Sequence, residues 1–365
     1  MNKKTGILLV NLGTPDSPHP RDVYRYLIQF LTDGRVIDVP FAARQLLVRG
    51  LIVPLRYRNS ARSYSEIWTE EGSPLLVYGK RAELLLQKTL GESFVVKLAM
   101  RYQKPSIEKG LHELRDADVS DIVVLPMFPQ YASASTGSVH QEVMRIVSGW
   151  QVIPKISFVN SYPTQSKMIE TFCLNAQKHP LEEYDHFLFS FHGLPEKHIL
   201  KADRHSHCLQ KQGCCSTLSE INRHCYSAQC VATADALRAQ LNIPDEKTTV
   251  CFQSRLGSDP WIQPFTSDVL KKLAAENKKR VLVFCPAFVA DCLETVFEIA
   301  VEYREEFIAL GGERLDLVES LNDHPLWIEA LAEMALAECS SYQWAESQLS
   351  SQNESVRKEP LLPAS

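Results

Sequence analysis

A chain of 365 residues, 45% hydrophobic and 23% charged, carries more apolar material than one core uses, since single cores stop growing near about 250–300 residues. Basic residues number 39 and acidic residues 44, for a net charge of -5, which leaves no electrostatic footprint for nucleic acid. Two globular domains are predicted, with no nucleic-acid partner. The chain starts with MNKKTGILLVNLG, whose apolar run is short, is interrupted at Asn11 and lacks a small-residue cleavage site. It reads as a first strand. From there short apolar runs alternate with longer amphipathic ones. GILLV, FVVKLAM, IVVLPMF and VIPKISFV are strands of the first half, and FLFSF, TTVCF, RVLVFC and RLDLV are strands of the second. Between them DVYRYLIQFL, PLLVYGKRAELLLQKTL, SIEKGLHELRDA and TGSVHQEVMRIVSG read as helices, followed by QSKMIETFCLNAQK, VATADALRAQL and LETVFEIAVEYREEF. This is the α/β rhythm of parallel sheets with crossover helices.

The longest apolar stretch, VLVFCPAFVADCLETVFEIAV, contains Pro286, Asp291, Glu294 and Glu298, which are costly in hydrocarbon. A cytoplasmic protein is predicted, with reduced thiols. FAARQLLVRGLIVPL, with Arg44 and Arg49 among bulky apolar residues, suits either a core helix or a lip that touches the inner face of a membrane. Residues 341–365 are rich in Ser, Gln and Glu and bury too little apolar area to offset ordering, so a disordered tail is predicted.

In parallel α/β sheets, functional loops leave the carboxyl ends of strands. His192 ends FLFSFH, and imidazole is the side chain that is both neutral and basic near pH 7, so His192 suits proton acceptance or metal ligation. The same residue could instead bond the backbone of the HGLP turn. Glu294 and Glu298 are spaced i, i+4 and share one helix face, with Asp291 a turn earlier. Such a row can move protons or accompany a cation, and it is also what a solvated helix N-terminus carries. YASASTGS opens a helix after a strand. Its free N–H groups and the hydroxyls of Tyr131, Ser133, Ser135 and Thr136 can hold a carboxylate. Arg101 and Tyr102 follow FVVKLAM, where a guanidinium can fork an anion and a phenol can face a ring, and Arg58 is a further candidate anion contact. In HCLQKQGCCSTLSEINRHCYSAQC, within residues 205–231, five cysteines stand at 208, 214, 215, 225 and 230. That density in a reducing compartment points to thiolate coordination of zinc or of an iron–sulfur cluster, and the spacing does not choose between them.

The blocks LLVNLGTPDSP, WTEEGSPLLVYGKR, AMRYQKPSI, VLPMFPQYASASTGS, FSFHGLP, CFQSRLGSDPWIQPFT and CPAFVADCLETVFEI stand in one order over roughly 300 residues. Together they resemble the ferrochelatase family, protoporphyrin-using and of bacterial type, with a cysteine-rich insertion. The resemblance implies two doubly wound, Rossmann-like domains with parallel sheets and a cleft between them, residues 1–160 and 161–321. A helix over about 322–340 is expected to return to the first domain. The activity it implies is insertion of ferrous iron into protoporphyrin IX to form protohaem, the last step of haem biosynthesis, with release of two protons. His192 is then the proton acceptor and Glu294 the metal-side carboxylate, both also counted as ligands of the substrate iron, and Glu298 continues the path inward. At Cys292 some relatives have a histidine, so a second imidazole is missing here. The cysteine segment implies a 2Fe-2S cluster on Cys208, Cys215, Cys225 and Cys230, with Cys214 the alternative to Cys215 and zinc the alternative metal. Rival readings are a chelatase of the same fold for cobalt or another tetrapyrrole such as coproporphyrin, and a non-catalytic haem or iron–sulfur sensor.

Overall fold

The structure, a computed structural model, describes residues 4–211, 213–257 and 259–339. The tail expected over 341–365 lies outside the described residues. All eight predicted strands are present. β1 (Lys4–Gly13), β2 (Phe94–Tyr102), β3 (Val119–Pro126) and β4 (Lys155–Phe158) form one sheet in the order β2-β1-β3-β4. β5 (His186–His192), β6 (Thr248–Gln253), β7 (Arg280–Phe284) and β8 (Arg314–Leu317) form a second sheet in the order β6-β5-β7-β8. Every pairing is parallel. β4 is shorter than the apolar run VIPKISFV that predicts it, because Pro154 has no N–H for the ladder and pairing starts at Lys155.

Both faces of each sheet are covered, as parallel sheets require. Ile7 and Leu9 point into a core shared with Phe189 and Phe284 of the second sheet, while Leu8 and Val10 point the other way, against Val139 and Val143. Leu188 similarly faces Leu270 and Val281 behind the second sheet. The shared core joins the two halves. The helix over residues 325–339 adds Trp327 and Leu331 to it, with Trp327 fully buried against Tyr162 and Lys167 bridging to Glu329 and Glu333.

The first strand of each half lies inside its sheet, flanked on both sides by later strands, so β1 and β5 each end at a point where the chain winds off in opposite directions. Crevices open at such points. The end of β1 is pinned by Gly13, whose φ of +122° and close approach to the carbonyl oxygen of Tyr102, 2.1 Å from where a Cβ would stand, admit only glycine. The end of β5 is His192.

Three helical stretches take the wider i→i+5 hydrogen bonding of a π-helix: Val48–Ile52, Ser133–Gly137 and Leu293–Tyr303. Helical periodicity in the sequence locates these segments but does not separate α from π. The last two carry the serine-rich turn and the acidic row, consistent with the frequent placement of π-turns at functional sites.

Candidate active site

The strand ends of both halves open onto one cavity. Asn11, Leu12, Gly13 and Thr14 come from the end of β1, His192, Gly193 and Leu194 from the end of β5, and Ala287–Ala290 and Cys292–Glu294 from the segment after β7. Tyr26, Phe30, Phe128, Tyr226 and Trp261 supply aromatic walls. No lysine or arginine lines it among the described residues. Such walls suit a flat apolar ring system, and His192, His198 and Glu294 bring two imidazoles and one carboxyl to it.

His192 is half-buried, with Nδ1 at 2.7 Å from the carbonyl oxygen of Gly193. A carbonyl only accepts, so Nδ1 is the donor, and in the neutral ring this leaves the lone pair on Nε2, the nitrogen that can take a proton from a ligand. The turn-bonding role and the basic role weighed for this residue therefore belong to different ring nitrogens. The backbone oxygen of His192 accepts from the hydroxyl of Tyr226 at 2.8 Å, which fixes the loop from a second side.

Glu294 lines the cavity, and Glu298 lies farther along the same π-helical stretch. Glu298 accepts from the hydroxyl of Ser254 at 2.6 Å and from Nε2 of Gln253 at 3.4 Å, and Gln253 also donates to the backbone oxygen of Glu294 at 2.8 Å. Burial, and then the charge of Glu294, raise the carboxyl of Glu298 from 4.5 to about 8. Glu298 is therefore a carboxyl that gains and loses protons near neutrality. Burial and then Glu294 also hold the phenol of Tyr26 well above its ordinary value, so Tyr26 stays a proton donor on the wall that faces the acid. Asp291 is elsewhere engaged: it accepts from Nδ2 of Asn322 at 2.8 Å and serves to anchor the loop. Gln253 and Ser254 were not singled out from the sequence. The strand-end rule applied to β6 finds both.

The expected anion contacts divide. Ser135 lines the cavity, while Tyr131 and Ser133 line a neighbouring polar pocket. Arg101 and Tyr102 do not reach the cavity wall. Arg101 forms an ion pair with Asp33 at 2.8 Å and donates to Ser138 Oγ at 2.7 Å, and Tyr102, fully buried, donates to the same Asp33 at 2.9 Å. Burial pushes the carboxyl of Asp33 up, but the bonds from Ser138, the Arg35 backbone and Arg101 outweigh it and hold Asp33 ionised. An arginine satisfied in this way is a brace between β2 and the loop at Asp33. Thr136 is fully buried, and its hydroxyl faces no partner among the described residues. Arg58 lies in an outer groove with Tyr57 and Arg62 that shares no lining residue with the cavity.

Residues 4–339 match the family described as Ferrochelatase. The chain belongs to the ferrochelatase family. It is 42% identical over 336 residues to the protein named Ferrochelatase of Coxiella burnetii (strain CbuK_Q154), covering 92% of this chain and 94% of the relative. The Ferrochelatase of Legionella pneumophila (strain Paris) is 41% identical over 328 residues, covering 90% and 97%, and that of Ectopseudomonas mendocina (strain ymp) 43% over 326 residues, covering 89% and 95%. Among solved structures, SirB from Bacillus subtilis with Fe3+ matches with a TM-score of 0.51 at 12% identity, over 93% of this chain and 97% of that one. That likeness is one of fold.

In this ferrochelatase family member the cysteine segment brings several thiols together. The thiols of Cys214 and Cys215 stand 3.4 Å apart and those of Cys215 and Cys225 3.6 Å apart, with Cys208 interacting with Cys225. Cys230 sits fully buried on the helix Tyr226–Gln240 and interacts with Tyr226. The bond with Cys225, and then burial, push the Cys215 thiol far up. These sulfur separations are close to the edge of a tetrahedral thiolate set with metal–sulfur bonds of about 2.3 Å. Even so, no group of three or more His, Cys, Asp or Glu among the described residues is already arranged around a metal position. The donor chemistry fits a thiophilic group, and the protonated thiols must lose protons to bind one. Cys173, Cys251 and Cys285 are buried in apolar surroundings as packing residues.

Proposed function

We propose that this chain inserts ferrous iron into protoporphyrin IX, releasing two protons and forming protohaem, the terminal reaction of haem synthesis. The single observation that carries the reading is that His192 and Glu294 line one cavity with apolar and aromatic walls, in a chain of the ferrochelatase family. In this reading Nε2 of His192 takes a pyrrole proton. The carboxylate of Glu294 meets the cation, and Glu298 receives protons displaced toward the interior, a task suited to a carboxyl that titrates near neutral pH. Ser135 is the hydroxyl of the serine-rich turn that touches substrate. Iron is consumed as substrate. The test is anaerobic metallation of protoporphyrin by the purified protein, with cobalt and coproporphyrin as competitors: haem formed fastest from iron and protoporphyrin supports the reading, and preference for either competitor sinks it.

The cysteine segment is read as the holder of a 2Fe-2S cluster, on Cys208, Cys215, Cys225 and Cys230, with Cys214 the alternative to Cys215. When bound, such a group would cross-link residues 205–231 through metal–thiolate bonds. Protein purified without oxygen is expected to show visible charge-transfer absorption that Cys225→Ser abolishes and Cys173→Ser leaves intact. A colourless protein with bound zinc would turn the assignment to the other metal.

The helical lip is read as a peripheral membrane contact. Phe41, Leu46, Leu51 and Leu55 are 70%, 77%, 53% and 71% exposed, an apolar set that a globular surface would otherwise cover. No helix among the described residues is long and apolar enough to cross a membrane.

A further inference from the structure

Metal insertion into a free-base ring releases two protons inside a cavity whose walls are mainly apolar, and those protons need acceptors and a way out. Few side chains there qualify. Burial holds the phenols of Tyr26, Tyr64 and Tyr226 and the thiol of Cys292 well above their ordinary values, so these groups keep their own protons. That leaves His192, His198 and Glu294 as the acceptors in the lining among the described residues. His198 is also the one residue, among those described, that lines both the cavity and a neighbouring polar pocket formed with Asp38, Tyr131, Ser133, Lys201 and Arg204. Lys201 and Arg204 are exposed, so that pocket opens to solvent.

His198 sits on the helix Glu196–Ala202, is 8% exposed, and has a buried Nδ1 with no hydrogen-bond partner among the described residues. A leucine would fill that wall without leaving a ring nitrogen unpaired, so packing does not account for the imidazole. Burial lowers its basicity most; Asp38 and Asp259 raise it, and Lys197 and Lys201 lower it further. Each of those carboxylates is paired with one of those lysines, Asp38 with Lys201 and Asp259 with Lys197. The resting ring is therefore neutral, ready to take a proton, with little net charge nearby to retain it.

We propose that His198 is the second proton acceptor of the cavity and the relay that carries its proton to water in the polar pocket. The inference rests on the proposed function for the identity of the reaction. One pyrrole N–H bond breaks as an N–H bond forms on the imidazole, and the pyrrole nitrogen keeps the bonding pair for the incoming cation. The imidazolium then releases the proton on its other nitrogen to water, which returns the ring to its neutral form. No oxidant or reductant is involved. His192 and His198 thus take one proton each, Glu294 is left to the cation, and His198 serves the outward side as Glu298 serves the interior.

The experiment follows single-turnover haem formation from ferrous iron and protoporphyrin IX, without oxygen and in dilute buffer, for full-length wild type, His198→Ala and His198→Leu. Lutidine, a hindered pyridine base whose methyl groups keep it off metals, is the external proton acceptor. Both variants are expected to be slower by ~10-fold or more, with Kd for the metal-free ring within about threefold of wild type. Lutidine should bring His198→Ala back to within about threefold of wild type, because alanine leaves room for the base, and should leave His198→Leu slow. A rate for His198→Ala within about twofold of wild type would overturn the relay, as would a slow His198→Ala that lutidine does not restore. So would a His198→Leu faster than His198→Ala, the order a packing role requires. Wild type that forms no haem would overturn the reaction and the relay with it, whereas active wild type beside an unaffected His198→Ala would overturn the relay alone.

Discussion

His192→Ala is expected to lower the rate of iron insertion by ~10²–10⁴-fold, the usual contribution of a positioned general base, while Kd for metal-free porphyrin moves by no more than about threefold. The reason is geometric. Nδ1 is committed to the carbonyl of Gly193, so Nε2 is the one nitrogen left to act as a base in a residue that lines the cavity. Removing it leaves the aromatic and apolar walls that bind the macrocycle in place. Stopped-flow formation of haem, with binding followed separately, distinguishes the two effects. Turnover within twofold of wild type would remove His192 from the chemistry.

Glu298→Gln is expected to act on stability and on rate in opposite directions. The carboxyl of Glu298 rises from 4.5 to about 8 because burial and the charge of Glu294 both penalise ionisation. Between those values the native chain holds a proton that the unfolded chain has released. Stability therefore falls as pH rises through that window, is unaffected by this group below it, and levels off above it. Glu298 as a residue is only half-buried, so the penalty reaches on the order of 2 kcal/mol rather than the full shift. Glutamine keeps an oxygen to accept from Ser254 and carries no charge. At pH 9 the variant should be the more stable by roughly that amount, and at pH 4.5 the two should unfold together, as read from denaturant midpoints. Its turnover should drop by ~10-fold or more, since an amide cannot relay a proton, and the rise of wild-type rate with pH near 8 should flatten. Parallel stability profiles for the two proteins would contradict the buried-proton account.

Much of this architecture can be read from residues because parallel strands covered on both faces become near-continuous apolar runs, as GILLV and FLFSF do. Strand lengths are less legible: β1 runs over Lys4–Gly13, well beyond GILLV, and β4 is cut short at Pro154. The strand-end rule placed His192 at a crevice without reference to a partner. Whether Arg101 turns to a ligand or to the protein could not be read the same way, because the answer is Asp33, 68 residues earlier in the chain and brought over by folding. The contacts of the π-helical stretch Leu293–Tyr303 with Gln253 and Ser254, at the end of another strand, are likewise made only by folding. The cysteine density was legible, but contact between Cys215 and Cys225 depends on how the intervening loop closes.

The most direct test of the central claim is a crystal structure of the protein with a free-base porphyrin bound. The account predicts the ring in the cavity between the ends of β1 and β5, with Nε2 of His192 over the pyrrole nitrogens and the carboxylate of Glu294 turned to the ring centre. A ring bound in the outer groove of Arg58, or one whose centre faces neither residue, would contradict it.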